Sequence, residues 1–334
     1  MERKGICVAG NMIVDILYPV NGLPAPGELT SIQDGISRTT GGALCNVIGD
    51  LARMDSTLPL TALGRVGNDA DGEFVLGQLK PFPNIDLSMV KREGITSFTA
   101  VMADEISKER TFFHYRGANA RFCEDDINWD TITSALLHIG YILLLDSLDE
   151  EDAGYGTKMA RLLCHAKERG IKTSLDVVSE TGDRFKRLVP PSLKYADYCV
   201  INELEAAQVT GMEIRDEGGA LIEAKLPKIL EKMMEGGVST WAVIHSPEGG
   251  YGLDSSGAFK KSPAINVPKE YIKGKVGAGD AFCSGVLFAA QAGGGLEEGL
   301  EMGNAAAAAS LSQPGATEGM IPVNELLRLR AKFS

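Results

Sequence analysis

Tyr198-Cys199-Val200-Ile201, followed at once by Asn202-Glu203-Leu204-Glu205-Ala206-Ala207-Gln208-Val209, sets a short unbroken apolar run against a segment with helical spacing. Such a run suits a strand buried on both faces, and a helix that follows it directly is half of a strand–helix–strand unit. The same alternation extends in both directions. Apolar runs recur at residues 5–10, 60–66, 139–145, 173–176 and 241–245, and helical spacing recurs at 43–54, 71–79, 152–169 and 220–234. Strands alternating with helices of this length predict a doubly wound α/β fold, a mostly parallel sheet flanked by helices on both sides.

Two stretches break the rhythm. Residues 12–38 carry Pro19, Pro24 and Pro26 on a short extended pattern, and residues 95–117 alternate like a hairpin with its turn at 104–108. Strands without intervening helices do not belong in the parallel sheet, so they predict a small antiparallel sheet that protrudes from the body. It serves as a lid over a ligand, as an edge extension or dimer contact, or as both. The expected organisation is one unit over residues 1–334 with a lid subdomain at about 12–38 and 95–117. The last third turns helical at 278–292 and 296–311, where the run Ala305 to Ala309 reads as a tightly packed helix.

The 334 residues carry 45 acidic and 33 basic side chains, a formal charge of −12, which excludes a general attraction to nucleic acid or an anionic membrane. An anionic ligand must be held by local geometry. Six scattered cysteines without a CxxC pair read as buried, reduced thiols. No apolar stretch approaches the roughly 20 residues of a membrane helix, and the opening residues lack a signal-peptide layout, so a cytoplasmic enzyme is expected.

The chemistry concentrates in Gly274-Lys275-Val276-Gly277-Ala278-Gly279-Asp280-Ala281-Phe282-Cys283-Ser284-Gly285. Three small residues, Gly277, Ala278 and Gly279, precede Asp280 at the start of an apolar helix pattern. Unblocked backbone N–H groups there lie at the positive end of a helix dipole and suit phosphate oxygens. A carboxylate at the same place is set to take a proton from a hydroxyl, and phosphoryl transfer needs both parts. Taken alone, Asp280 is equally a helix-start carboxylate beside a glycine turn. Neither GxxxxGK[ST] nor a GxGxxG after the first strand is present, which disfavours a P-loop GTPase or a dehydrogenase. Asn202 and Glu205 have the spacing of a capping box, and on one helix face they are equally placed to order waters around magnesium.

In order along nearly the whole chain, these residues resemble the ribokinase-like, or PfkB, carbohydrate kinase family, whose late signature is approximately DTxGAGD. Asn11 and Asp15 match its first-strand substrate segment, and Gly41-Gly42-Ala43-Leu44-Cys45-Asn46 its GGxxxN. The stretch from Leu63 to Gly72 matches a mainly structural GxVGxDxxG element. Arg110 falls at its lid strand and Asn119 at its return. Asn202 to Glu205 match NxxE, and Asn304 with Pro314-Gly315-Ala316 resembles the segment beside adenine. The resemblance implies an ATP-dependent kinase with Asp280 as base and backbone N–H groups from Gly277 to Gly279 around the transferring phosphoryl. It further implies Asn11, Asp15, Gly41, Gly42, Asn46, Arg110 and Asn119 at the sugar, and Asn202, Ser246, Gly249, Lys275 and Asn304 at the nucleotide. Glu205 would serve Mg2+ through water.

Three departures matter. Gly274 and Lys275 replace the first Asp and Thr of the signature, which puts monovalent-cation activation in doubt and offers the Lys275 ammonium as its substitute or as a phosphate contact. Ser246 replaces the usual glycine of the nucleotide loop. The DxN segment is missing, although Asp176 still ends a strand at the ligand edge of the sheet. The expected acceptor is an unphosphorylated sugar, with an adenosine-like nucleoside as alternative because Phe98, Phe112, Phe113 and Tyr115 offer a platform. An alternative of another class is a degenerate sugar- or nucleotide-binding regulator. A homodimer through the lid sheets is the expected assembly.

Overall fold

The computed structural model describes residues 3–107, 109–180 and 182–333. The chain opens with β1 (Ile6–Gly10), then β2 (Ile13–Val20), β3 (Ser37–Gly41) and α1 (Ala43–Met54). Next come β4 (Leu60–Val66), α2 (Ala70–Leu79), the short β5 (Ile85–Asp86) and β6 (Val90–Arg92), then β7 (Ser97–Asp104) and β8 (Arg110–Tyr115). From β9 (Leu136–Ile142) it runs through α3 (Asp146–Asp149), β10 (Glu151–Asp152) and β11 (Gly156–Thr157) to α4 (Lys158–Glu168) and β12 (Lys172–Val177). Short helices α5 (Arg184–Leu188) and α6 (Pro190–Leu193) precede β13 (Tyr198–Asn202), α7 (Glu203–Thr210), α8 (Leu226–Glu235) and β14 (Trp241–Ser246). The hairpin β15 (Gly249–Asp254) and β16 (Phe259–Pro263) leads to α9 (Ala278–Gln291), α10 (Leu296–Ser310) and α11 (Val323–Phe333).

The main sheet has the order β16-β15-β14-β13-β12-β9-β1-β4-β5, with β6 also on β4. Its strands pair in parallel from β14 to β5, and β15 and β16 add an antiparallel edge. Separate apolar cores line its two faces, one around Leu137, Ile139 and Ile201 and the other around Val8, Ile48 and Val200. Successive side chains of a doubly buried strand serve opposite cores, which is why these runs read as continuous hydrophobics.

Several expectations on element bounds need correction. The helix expected over 152–169 begins only at Lys158, because the short ribbon of β10 and β11 precedes it, with Gly156 at φ +89° and Thr157 capping Ala160. The helix expected over 220–234 begins at Leu226, where Pro227 occupies the first turn. The strand expected over 139–145 spans Leu136–Ile142, because its pairing with β1 starts at Ile6↔Leu136. Lys108, part of the expected hairpin turn, lies outside the described residues.

The second sheet has the order β3-β2-β7-β8, and it is mixed rather than antiparallel throughout. Strands β2 and β7 run parallel because the chain returns to the main body between them, through α1 to β6. Register places Thr39, Asp15, Thr99 and His114 side by side across one face, and Ser37, Leu17, Val101 and Phe112 in the next row outward on that face.

Strand β1 lies between β4 and β9, so the chain leaves it in opposite directions and opens a crevice at the carboxyl ends of the strands. Gly10 is opposite Gly140 in register, and a Cβ on Gly10 would lie 1.6 Å from the Gly140 carbonyl oxygen. Only glycine permits that approach at φ +126°. On β4, Arg65 donates from Nε and Nη2 to the two oxygens of the buried Asp126 at 2.6 and 2.7 Å, and Lys91 adds a contact at 2.7 Å.

Candidate active site

Helix α9 enters the crevice with its amino end. Gly277 at φ +76° turns the chain into the helix, and a Cβ there would strike the Ala316 carbonyl at 2.6 Å. The first-turn N–H groups of Gly279 and Asp280 point out of the open helix end, as do those of any helix start, while that of Ala278 makes a long contact to the Lys275 carbonyl at 3.5 Å. Gly279 brings this turn against His245, where a Cβ would lie 3.0 Å from Cε1.

Two cavities meet at this helix start. One of about 410 Å3 is lined by apolar side chains such as Ile265, Val267, Ile272 and Leu311, with Asn304 and Ser246. The other, about 300 Å3, is lined by Asp176, Ser179, Asn202, Glu205, Tyr141 and Asp280. His245, Lys275, Ala278 and Gly279 line both. A flat apolar group fits the first and an anionic chain with a hard cation fits the second, with the α9 start between them. Burial holds the His245 imidazole neutral, its pKa down at about 4, so it meets a ligand there without charge. A further cavity of about 340 Å3 near Arg184 and Asp149 lies outside this crevice, and its charges are paired within the fold.

Asp280 is 7% exposed, and both of its oxygens are engaged. Asn46 donates Nδ2–H to Oδ2 at 2.8 Å, and the Tyr141 hydroxyl donates to Oδ1 at 2.7 Å. Burial raises the Asp280 pKa above the ordinary carboxylate value and these two donors oppose the rise. Glu205 and Asn202 form a reciprocal capping box, Asn202 Oδ1 accepting from Glu205 N at 2.9 Å and Glu205 Oε2 from Asn202 N at 3.0 Å. Ser179 donates to the other Glu205 oxygen at 2.8 Å. The cap therefore fixes a carboxylate at the cavity wall, where burial raises its pKa. A set of hard carboxylate oxygens from Glu205 and Asp176 fits magnesium held through water.

The expected residues fall into groups. Asp280, Gly277, Ala278, Gly279, Asn202, Glu205, Ser246, Lys275 and Asn304 come together at the two cavities. Asn304 also donates to the carbonyls of Ser262 and Pro263 and so ties β16 to α10. Gly41 and Gly42 hug the first strands, since a Cβ on them would meet Asp15 Oδ2 at 2.1 Å and the Asn11 carbonyl at 2.5 Å. Asp15, raised in pKa by burial, lies in the polar row of the second sheet. Asn11 and Asn119, both 0% exposed, spend their side chains inside the fold: Asn119 spans the Met12 backbone at 3.2 and 3.1 Å, and Asn11 holds the 141–144 loop. Gly249 sits buried in the edge hairpin opposite Pro263, behind the cavity wall. Arg110 is exposed at the outer end of β8. Sequence reasoning missed Tyr141 and His245. A lone aromatic in the run Ile139-Gly140-Tyr141-Ile142 and a histidine ending a strand were their only local signals.

The architecture is the ribokinase-like α/β fold. A ribokinase from Arabidopsis thaliana, solved with ribose and ATP, superposes with a TM-score of 0.81 at 20% identity over all of both chains. A nucleoside kinase from Methanocaldococcus jannaschii gives 0.75 at 17% identity over 99% of this chain and 100% of that one. The model of the pfkB family carbohydrate kinases matches residues 3–324, and the chain belongs to that family. A bifunctional ribokinase/ribose-5-phosphate isomerase A from Fructilactobacillus sanfranciscensis is 28% identical over 66% of this chain, and Adenosine kinase 1 from Arabidopsis thaliana is 34% identical over 40% of it. The matched region spans 38% of the length of each of these two curated relatives. Among the described residues no helix is long and apolar enough to cross a membrane.

Proposed function

We propose that this chain is an ATP-dependent kinase that transfers the γ-phosphoryl group to a hydroxyl of a small carbohydrate. The observation that carries this reading is a buried carboxylate, Asp280, at an open helix start between an apolar cavity and a carboxylate-lined one. Family membership and relatives named as kinases support it.

In this reading the adenine enters the 410 Å3 cavity beside Asn304, and the phosphates lie along the start of α9 with Lys275 as their cation. Glu205, with Asp176 beside it, would hold magnesium, which would supply neutralisation of phosphate charge. Asp15 accepts hydrogen bonds from acceptor hydroxyls within the polar row it shares with Thr99 and His114. The reactive hydroxyl gives its proton to Asp280 as its oxygen bonds to the γ-phosphorus and the bond to the departing ADP oxygen breaks. N–H groups of the α9 start carry the charge that develops on the equatorial oxygens. Closure of the small sheet excludes water and so limits ATP hydrolysis. Six free cysteines suit a reducing cytoplasm.

A nucleoside acceptor is the second reading. The row Leu17, Val101 and Phe112 beyond the polar row gives a ligand with hydroxyls at one end an apolar surface for the other. A coupled ADP-release assay over pentoses, ketohexoses, sugar phosphates and nucleosides separates the two. Turnover that requires an acceptor is expected; ATP hydrolysis at the same rate without one contradicts closure, and ligand binding with no turnover points to the regulator instead. With Lys275 in place of the cation-binding residue, the same rate is expected with and without potassium, and strict potassium dependence would sink that role for Lys275.

The small sheet also leaves Phe112, Phe113 and Tyr115 at 63%, 57% and 43% exposure. Phe113 and Tyr115 lie on the face opposite the polar row, and pairing of two such sheets through that face in a homodimer would cover them. Sedimentation is expected to give a dimer that Phe113→Asp converts to monomer, and a monomeric wild-type chain at micromolar concentration refutes this assembly.

A further inference from the structure

We propose that Tyr141 is a positioning residue that holds the Asp280 carboxylate charged and aimed at the acceptor, and that Asn11 acts by holding Tyr141 in place. The role in turnover rests on the kinase reading above; the effect on Asp280 does not.

Tyr141 follows β9 at the crevice, and its hydroxyl is 2.7 Å from Asp280 Oδ1. Asn46 occupies Oδ2. A carboxylate oxygen has two lone-pair sites, so each keeps one free for an incoming hydroxyl. Two fixed donors leave little rotational freedom, and the free sites are held in one direction. Tyr141 is suited to this because it cannot compete as a base: burial, followed by the charges of Asp280 and Asp176, pushes its pKa up, so it keeps its proton and only donates.

The position of Tyr141 is set from three elements. Asn11, just after β1, accepts from Tyr141 N at 2.7 Å and donates to the Leu144 carbonyl at 3.3 Å. Arg116, after β8, donates to the Leu143 carbonyl at 2.7 Å, and Asp149 of α3 accepts from Leu143 N at 3.1 Å. Leu143 stands at φ +82°, a conformation a leucine holds only when its surroundings impose it. The first-strand asparagine thus serves the base through the tyrosine and does not reach the sugar.

The groups around Asp280 that bear on its charge are few. Asn46 and Asp50 face it from α1, Asp176 from β12, Glu205 from α7, Cys283 from the next turn of α9, and His245 and Lys275 line its cavity. Burial opposes the charged form of Asp280, and Tyr141 and Asn46 are the donors that favour it.

Tyr141→Phe removes the hydroxyl and keeps the ring. ATP affinity by calorimetry should match wild type, the turnover number should fall about tenfold, and the acid limb of kcat/KM should move up by about one pH unit, the worth of one hydrogen bond to a charged group. The sign follows from the loss of a donor that favours the charged form. The Asp280 13C carboxyl titration, assigned by its absence in Asp280→Asn, should move up by the same amount and needs no turnover. Tyr141→Met, which fills the space without a donor, should give the same shift if the phenylalanine variant does not accumulate. Asn11→Ser should shift both profiles in the same direction. If the carboxyl titration stays put, the inference is overturned. If it moves while wild type transfers no phosphoryl group to any acceptor, the kinase reading fails and the control of Asp280 by Tyr141 stands.

Discussion

Asp280→Asn should lower the turnover number by about 10² to 10⁴, the usual range for loss of a positioned general base. The substitution keeps the size of the side chain, and its neighbours decide what is lost. Both oxygens of Asp280 meet hydrogen-bond donors, Asn46 on one side and Tyr141 on the other. An asparagine still accepts from Asn46 on one side and can donate its NH2 to the Tyr141 hydroxyl oxygen on the other, so the substitution removes the proton acceptor while the alignment can be kept. ATP affinity should change little, because the first-turn N–H groups of α9 are untouched. Single-turnover quench-flow with saturating ATP reads the chemical step directly. Transfer at the wild-type rate would show that the proton leaves by another route.

The second large effect falls on stability. Arg65→Met should destabilise the fold by about 3–5 kcal/mol, read as a lower urea midpoint, because it leaves Asp126 buried without its fork-shaped partner. The Asp126 side chain is 1% exposed. Lys91, 2.7 Å from the same carboxylate, offsets part of the loss and places the value toward the lower end of that range. The double variant Arg65→Met with Asp126→Leu should recover much of the stability, since apolar groups of similar volume replace a buried pair at little cost. Burial raises the Asp126 pKa, but hydrogen bonds from Arg65 and Lys91 outweigh it and hold the carboxyl below 3.8. The contribution of the pair is therefore present above that pH and is lost as pH falls through the lowered folded value. A midpoint within experimental error of wild type would show that the carboxyl is neutral or hydrated in the fold.

Strands and helices whose local pattern agrees with their packing were legible in the sequence. α1 and β4 have the expected bounds, because a buried helix stripe and a doubly buried strand each leave a strong periodicity. β15 was not legible. Its Gly249-Gly250-Tyr251-Gly252 looks like a turn, yet Gly250 and Gly252 are small because Phe282 and Leu296 press on them, at 2.6 and 2.7 Å from where a Cβ would lie. Tertiary contact, which no local rule shows, selected those residues. The chemistry divides in the same way. Gly277 to Asp280 lie in one contiguous turn, so their grouping at a helix start could be read. Tyr141 acts on a residue 139 positions away, and Asn11 on one 130 away, through contacts that exist only after the sheet has formed. The match to a family segment led to Asn11, but its contact with the Tyr141 backbone is not visible in that segment.

The wall of the larger cavity has a further consequence. Residues 264–267 continue from β16, the last strand of the sheet, which has one neighbour and is tied on its other side by Asn304. Outer strands are the first to fray, and their amides exchange with solvent through low-energy local openings. A ligand in this cavity must therefore suppress fraying as it binds, and part of its intrinsic affinity offsets that ordering. Occupancy of the cavity and exchange protection of β16 are one linked equilibrium, so a substitution that loosens this strand weakens binding without touching the ligand.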